Sequence, residues 1–367
     1  MLSLVRREVF LIVAALAAAL ALPLEHTILA AGQGASLVAA IVLIGAILLA
    51  SIRVAHYAEE LAERVGEPYG TMVLTLSAVL VEVIILAIMM SHTSSPTLVR
   101  DTIYSAVMLD INALLGLSAL LGGLKHGEQP YNVDSGNTYV VMIFTAVGVS
   151  MVLPAFIPSE HWRSYSFFTI VVMVLLYALF LRMQTGRHSY FFSYSDAQHA
   201  KTRPPAAVVP TRHEPQGSVA WPIGLMAGGV ALIGLLAEVM SVTLDAGLAG
   251  AGVPPIVAPL LVATISASPE ILTALRAALA NRMQPVVNIA LGASLSTVIL
   301  TIPIIEALAL ATGKQIQMAL SPVQTVMMFL SLIVASINVH DGETNAIEGM
   351  THFVLFMAFL MLAALGV

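Results

Sequence analysis

Two glutamates in the middle of long apolar segments are the residues of this sequence best suited to chemistry. Glu82 lies within LTLSAVLVEVIILAIMM, and Glu270 lies within LLVATISASPEILTAL. A carboxylate inside a bilayer is costly unless it is protonated, paired or bound to a cation. No lysine or arginine occupies the middle of any predicted span to pair with either acid. Both positions are therefore predicted to bind cations or protons.

The residues before Glu270 support a cation site. Pro269 removes a backbone donor and is expected to free carbonyl oxygens near Ile265 and Ser266. Carbonyl and carboxylate oxygens suit hard cations such as Ca²⁺ or Na⁺. Ser266 is four residues before Glu270 and shares its helix face. A simple packing kink is the alternative explanation for Pro269.

Further polar residues follow in neighbouring apolar segments. Asp110 is a third deep carboxylate, in SAVMLDINALLGLSALLGG, and a second polar segment reads NIALGASLSTVIL. Small polar residues in membrane helices often serve only in contacts between helices, so the hydroxyls have a structural explanation as well. The secondary candidates for the cation site are Asp110, Asn112, Ser77, Ser266, Ser294 and Thr297.

Acids nearer the ends of the spans are candidates for an access path. The candidates are Glu238, Glu59 and Glu60. The last two belong to an acidic stretch that consists of Glu59, Glu60, Glu63 and Glu67. A solvated helix face also explains that stretch, and a vestibule that attracts cations is the alternative. Single histidines that could relay protons are His56, His340 and His352.

The composition places the chain in a membrane. Apolar residues make up 59% of the 367 residues and charged residues only 10%, against about 25% charged in soluble domains. The net charge of −6 is small for this length and does not bear on nucleic acid, but no basic patch with aromatic residues supports a nucleic-acid partner. The absence of cysteine excludes disulfides and thiolate metal sites. No HExxH, GxSxG or P-loop pattern supports a hydrolase or nucleotide-binding function.

Apolar segments of bilayer-spanning length predict an all-α integral membrane protein with about eleven transmembrane helices. The first segment resembles a signal peptide, but more spans follow it, so we interpret it as a retained helix. The predicted spans are 8–30, 36–53, 69–91, 98–121, 138–157, 165–183, 220–243, 255–279, 285–311, 321–339 and 346–366.

The distribution of basic residues predicts an orientation in the cell membrane. With eleven spans and an inside amino terminus, 12 of the 15 lysines and arginines fall inside and 3 outside. The polar segment 187–219 is then a cytoplasmic linker, and the carboxyl terminus is outside.

The two halves of the chain have similar spacing. Glu59 lies nine residues before Pro68, and Asp245 lies nine residues before Pro254. Each proline opens a helix with a lone glutamate, and the two helices start on opposite sides of the membrane. Inverted repeats of this kind are typical of secondary transporters. The predicted organisation is an extra helix at 1–35, a first five-helix repeat at 36–186 and a second at 220–367.

Two midplane glutamates on symmetry-related helices predict one shared site. Burial and mutual repulsion favour protonated carboxyls, so protons and cations compete for the same oxygens. Alternate occupancy on the two sides of the membrane would give antiport. A cation channel is the alternative and would conduct without obligatory proton movement. An intramembrane enzyme would need a nucleophile–base pair or an aspartyl dyad, and no such motif is visible.

Several segments resemble the calcium/cation antiporter superfamily, in particular its bacterial sodium-potassium/calcium:proton (ChaA-type) branch. They are GEPYGTMVLTLSAVLVEVIIL, RDTIYSAVML and SPEILTALRAALANRMQPVVNIALGASLSTVILTIPI. DGETNAIEG at 341–349 resembles the start of that branch's last helix. AEVMSVTLD at 237–245 is similar to a segment of vacuolar-type cation/proton exchangers.

The resemblance implies export of cations from the cytoplasm driven by proton entry, through inverted five-helix repeats and an extra first helix. It places the family's essential acids on Glu82 and Glu270. Many relatives carry Gly-Asn shortly before each glutamate, whereas this sequence has Ala78-Val79 and Ser266-Ala267. Ca²⁺ is the first choice of substrate, with Na⁺ and K⁺ close behind, and Na⁺-coupled calcium exchange stays an alternative. No resident cofactor is expected, the partners are lipid and inorganic cations, and the sequence does not determine the oligomeric state.

Overall fold

The chain is a bundle of apolar helices in a computed structural model that describes residues 8–65, 69–93, 95–185 and 220–366. Ten of its helices are long and apolar enough to cross a membrane, and an eleventh, Pro322–Asn338, is shorter. The prediction of an all-α membrane protein with eleven helices is therefore confirmed. The helices are α1 (Val9–Ala30), α2 (Gln33–Val65), α3 (Tyr69–His92), α4 (Leu98–His126), α5 (Val133–Phe156), α6 (Ser159–Thr185), α7 (Ala220–Leu248), α8 (Val257–Leu279), α9 (Met283–Thr312), α10 (Pro322–Asn338) and α11 (Ala346–Leu365).

Local sequence signals explain several helix ends. Ser321 caps α10 in a reciprocal arrangement with Gln324, and the Asn345 side chain accepts from the first amides of α11. Gly313 ends α9 in the left-handed conformation, which glycine adopts without strain. One short antiparallel ladder pairs β1 (Gln129–Pro130) with β2 (Glu343–Thr344). This ladder ties the turn after α4 to the turn before α11.

The second helix differs from its predicted bounds. It runs to Val65, past the predicted end at residue 53. Arg53 is buried and forms a 2.8 Å ion pair with Glu8 just before α1, and the Tyr57 hydroxyl donates to the same carboxylate. These pairings satisfy the polar groups, so the helix continues through them. The predicted boundary at 53 is wrong, because the ion pair with Glu8 allows Arg53 to lie inside the helix.

Helices α4 and α5 also differ from their predicted bounds. Two further predictions concern residues that the structure does not describe. Helix α4 continues to His126, and α5 begins at Val133 because Asn132 caps it. The predicted linker 187–219 and Glu67 lie outside the described residues. The predicted repeat bounds remain a prediction.

Four helices surround the centre of the bundle. They are α3, α4, α8 and α9, which pack mutually, while α2 and α7 pack along each other and against α1. Two of the central helices change to π-helical turns near mid-length, at Leu109–Leu115 in α4 and Thr297–Thr301 in α9. π-bulges inside α-helices occur frequently at functional sites. Both lie beside a predicted acid, so the interruptions help to position the site.

Candidate cation-binding site

A cavity of about 350 Å³ lies between α2, α3, α4, α8 and α9. It extends from the exposed Glu59 near the end of α2 to the buried Asp110 of α4. Glu82 and Glu270 also line it, so the structure brings three of the predicted carboxyls to one space. Its polar lining residues are Ser51, Glu59, Thr75, Ser77, Glu82, Asp110, Ser266, Glu270, Thr273, Asn288, Ser296 and Thr297.

Glu82 is held by the neighbouring helix. Its side chain is only 3% exposed, and Oε2 accepts hydrogen bonds of 3.0 Å from the hydroxyls of Thr297 and Thr301. Oε1 is buried without a hydrogen-bond partner among the described residues. Helix α9 therefore orients the carboxyl through one oxygen and leaves the other available for a proton or a cation.

Glu270 lies on the opposite wall and is less restrained. It is half-buried, lines the cavity and lies within electrostatic range of Glu82. Pro269 is inside the continuous helix α8, where it removes the amide that would bond to the Ile265 carbonyl. Within the described part of the chain Glu270 has no ion-pair partner. Its carboxyl can therefore adjust to whatever enters the cavity.

Asp110 completes the acidic end of the cavity. It is 2% exposed, and its Oδ2 accepts a 3.2 Å hydrogen bond from the Ser294 hydroxyl on α9. It lies within electrostatic range of both Glu82 and Glu270. The π turn of α4 carries it, and no Lys, Arg or His side chain is among the described cavity-lining residues. Three acids without a basic neighbour in the described lining are suited to binding cations or to retaining protons.

Four of the predicted polar residues lie near these acids, but they make different contacts. Ser294 and Thr297 donate to Asp110 and Glu82. Ser77 and Ser266 line the cavity, but their hydroxyls donate to carbonyls of their own helices, at 2.7 Å and 3.2 Å. The first pair orients carboxyls, and the second pair contributes lining oxygens.

Asn112 lies away from the cavity, contrary to its prediction as a cation-site residue. Its Nδ2 donates to the Ser331 hydroxyl over 2.6 Å, and its Oδ1 lies 3.1 Å from Nδ1 of His352. Two positions along the π turn of α4 separate it from Asp110 and place it on the face toward α10 and α11. Asn112 is therefore not available as a ligand in the cavity.

The access-path candidates separate in the structure. Glu59 lies at the mouth of the cavity and forms a 3.6 Å pair with His56. Glu60 is half-buried but is not part of the lining. Glu238 is exposed on α7 and does not line the cavity either, so of these three candidates only Glu59 borders the cavity.

Two further candidate functional residues in the structure were not predicted from the sequence. Thr301 binds Glu82 from the π turn of α9. Glu306 is 2% exposed and accepts a 3.3 Å hydrogen bond from Ser166 of α6, outside the cavity. The signal for Glu306 was present, since it is a lone acid in the apolar run TIPIIEALALATG.

The end of the bundle opposite Glu59 is tied by polar contacts. Arg100 forms a 2.8 Å ion pair with Asp101 at the start of α4, and Asp101 accepts a 2.8 Å hydrogen bond from Gln324 of α10. Lys314 donates to the carbonyls of Met90, in the last turn of α3, and of Thr93, just after it. None of these residues lines the cavity. The cavity therefore reaches the surface near Glu59 and is separated from this opposite end.

Comparisons with known proteins agree with this architecture. The sequence profile of the sodium/calcium exchanger protein family matches residues 35–186 and 221–365. The putative ionic transporter y4hA of Sinorhizobium fredii is 33% identical over 84% of each chain. The sodium-potassium/proton antiporter ChaA of Escherichia coli is 33% identical over 86% of each chain. Native YfkE superposes with a TM-score of 0.76 at 18% identity, over 97% of this chain and 99% of YfkE. The chain therefore belongs to the sodium/calcium exchanger protein family.

Proposed function

We propose that this chain is a secondary cation:proton antiporter that exports cations from the cytoplasm in exchange for protons, with Ca²⁺ as the first candidate substrate and Na⁺ and K⁺ as the next. The observation that carries the proposal is the group of three acids, Glu82, Glu270 and Asp110, that lines one cavity without a basic neighbour. The relative ChaA is a sodium-potassium/proton antiporter, and YfkE is a Ca²⁺/H⁺ antiporter protein. These names support proton coupling, but they differ in the transported cation, so the substrate must be identified by experiment.

The coupling follows from competition for the same oxygens. A cation that enters the cavity requires charged carboxylates at Glu82 and Glu270, so the protons must leave. On the other side of the membrane the cation leaves and protons return. Either load neutralises the buried acids, whereas the empty charged site is costly in a low-dielectric interior. This cost disfavours crossing the membrane without a load, which makes the two fluxes obligatory partners.

The orientation proposed from the basic residues assigns the cavity to the cytoplasmic side. In that orientation α2 ends inside, and Glu59 at the cavity mouth faces the cytoplasm. The tied end around Arg100 and Asp101 then faces outward. With that orientation, we propose that this form is inward-facing and that cytoplasmic cations reach the acids through the mouth near Glu59. Alternating access requires a second form that opens the tied end.

The function is tested in vesicles that contain the purified chain. An acid-inside pH gradient is expected to drive uptake of Ca²⁺ or Na⁺ into inverted vesicles, with matching alkalinisation of the interior. Parallel measurements with Ca²⁺, Na⁺, K⁺ and Mg²⁺ identify the substrate. Cation flux that proceeds equally without a pH gradient and moves no protons would support a channel and contradict the proposal. Calcium uptake driven by a Na⁺ gradient alone would support the sodium-coupled alternative.

Substituting Thr301 by valine is expected to weaken cation binding without stopping exchange. The change removes one of the two hydroxyls that stabilise charged Glu82, and a hydrogen bond to a charged group contributes about 1.5–3 kcal/mol. We expect roughly a tenfold or larger rise in the cation concentration for half-maximal exchange. Thr243→Val is the matched control, because that buried hydroxyl donates to carbonyls of its own helix, including Val239. Equal effects of the two substitutions would argue against the role of Thr301.

A further inference from the structure

A second polar site lies on the opposite face of α4, around His352 of α11. The His352 ring is 2% exposed, and its Nδ1 lies 3.1 Å from Oδ1 of Asn112. The Asn112 amide is oriented by its 2.6 Å donation to Ser331, so Oδ1 faces the ring. Since an amide oxygen only accepts hydrogen bonds, Nδ1 carries the hydrogen and Nε2 is the basic nitrogen of the neutral ring.

Two buried acceptor atoms face a small cavity at this site. Nε2 of His352 and Oε2 of Glu348 are both buried without a hydrogen-bond partner among the described residues. Glu348 is one turn before His352 and shares its helix face. Both residues line a cavity of about 10 Å³, close to the minimum that holds one water molecule. Both residues border the same small cavity, so a proton or a water molecule in it could satisfy the two acceptors.

We propose that Glu348 and His352 form a proton-binding site that holds one proton between them through a bridging water, separate from the cation cavity. The proton resides on Oε2 of Glu348 or on Nε2 of His352, and the water connects the two atoms. One proton per pair satisfies both groups without placing a second charge in the bundle. Loss of that proton leaves a carboxylate beside a neutral ring.

No Lys or Arg side chain is among the described residues that line this small cavity. Tyr131 is the other titratable residue in the described lining of this small cavity, and Asp341 acts electrostatically on both Tyr131 and Glu348. Helices α4, α9 and α10 face the cavity with uncharged side chains. These are Leu115, Ala119, Met283, Val287, Asn338 and Val339. The charge of the pair is therefore set by its own proton.

The close contact between α11 and α4 connects the Glu348–His352 pair to the cation cavity. A Cβ atom at Gly116 would lie 2.7 Å from Cβ of His352, and one at Gly349 would lie 2.1 Å from the Leu120 amide nitrogen. The two backbones thus touch beside His352. Asn112, which binds His352, and Asp110, which lines the cation cavity, share the π turn of α4. A charge change at the pair is expected to alter the turnover rate while leaving the cation ligands in place.

The proton site is tested first without transport. The thermal unfolding midpoint of the purified protein is measured at several pH values for wild type, H352N, E348Q and the double variant. Because the pair holds one proton in the folded protein, the stability of wild type relative to E348Q should fall as the pH rises and this proton leaves. The double variant keeps neither titrating group and should lose this pH dependence completely, whereas each single variant keeps one group and should lose only part of it. A difference that is constant at every pH would show a purely structural role and overturn the proposal.

Matched variants keep this measurement decisive. His340 is exposed, so H340N is the histidine control and should follow the pH dependence of wild type. If H352N yields no folded protein, E348Q decides alone, because glutamine keeps the size and one acceptor of glutamate but carries no titrating proton. A pH dependence of E348Q identical to that of wild type would then overturn the proposal.

The effect on transport rests on the proposed antiport and is measured separately. In vesicles, H352N and E348Q should each shift the pH of half-maximal exchange by at least about half a unit, with cation affinity unchanged at the optimal pH. An unshifted profile would contradict the link to turnover. If wild type exchanges no cation, the proposed function fails, while the unfolding measurements still decide the proton site.

Discussion

Glu82→Gln and Glu270→Gln are each expected to abolish proton-driven cation uptake. Each substitution keeps the shape of the side chain but removes a charge from the cavity and a group that can carry a proton. A contact with a charged group contributes about 1.5–3 kcal/mol, so cation affinity should fall roughly 10- to 150-fold. Because glutamine does not titrate, the returning proton has no carrier either. We expect exchange below about 1% of wild type at moderate cation concentrations.

The measurement is cation uptake into inverted vesicles under an acid-inside gradient, at equal amounts of reconstituted protein. Glu306→Gln is the matched control, because Glu306 is as deeply buried as Glu82, at 2% against 3% exposed, but lies outside the cavity. It should retain exchange. Normal exchange in either cavity variant would disprove the shared site, and loss of exchange in all three variants would point to a general effect of removing buried acids.

The two glutamates occupy related positions in the halves of the chain but have different surroundings. Glu82 receives two hydroxyl donors from α9, whereas Glu270 is half-buried beside Pro269 and has no ion-pair partner within the described residues. The hydroxyls stabilise the charged form of Glu82, so this acid offers a preorganised ligand. Glu270 is freer to move and to exchange protons with water in the cavity. In the proposed antiport, this asymmetry would suit Glu82 to anchoring the cation and Glu270 to exchanging protons.

Much of this arrangement could be predicted from the sequence because a bilayer imposes strong constraints. Apolar runs of the required length identify the helices, and a lone acid within such a run, as at Glu82 and Glu270, stands out because its burial is costly. The length of α2 could not be predicted in this way, since the partner of Arg53 is Glu8, far away in sequence. Long-range pairing of this kind leaves no local pattern.

The sequence also could not predict which residues of α4 face the cavity. Asp110 and Asn112 are two positions apart and looked like parts of one site, yet the structure directs one to the cavity and the other to His352. The π turn at Leu109–Leu115 changes the angular relation between neighbouring residues, so ordinary helical spacing does not apply. Thr301 was overlooked for the same reason, because it lies in the π turn of α9. Irregular turns at the site are the feature that simple periodicity fails to describe.

Asp110→Asn is expected to change the proton count and the cation preference while leaving exchange measurable. Three acids line the cavity, so up to three protons can leave when a cation binds, and the substitution removes one of them. With asparagine, the two glutamates alone balance the divalent cation, and the amide oxygen still serves as a ligand. The loss of one nearby charge should lower the affinity for Ca²⁺ by about tenfold or more. The effect on Na⁺ should be smaller, since the electrostatic attraction scales with the charge of the cation.

Proton release measured on cation binding to detergent-solubilised protein distinguishes this role from a structural one. Wild type and Asp110→Asn should release different numbers of protons per cation bound, and Ser294→Ala, which removes only the hydrogen bond to Asp110, should keep the wild-type number with a weaker affinity. The contrary result is that wild type and Asp110→Asn release equal numbers of protons while both are folded. That result would mean that Asp110 stays protonated through the cycle and only donates or accepts hydrogen bonds in the cavity lining. The comparison therefore separates a third titrating ligand from a neutral one, which is the property that decides how many protons this site can exchange for each cation.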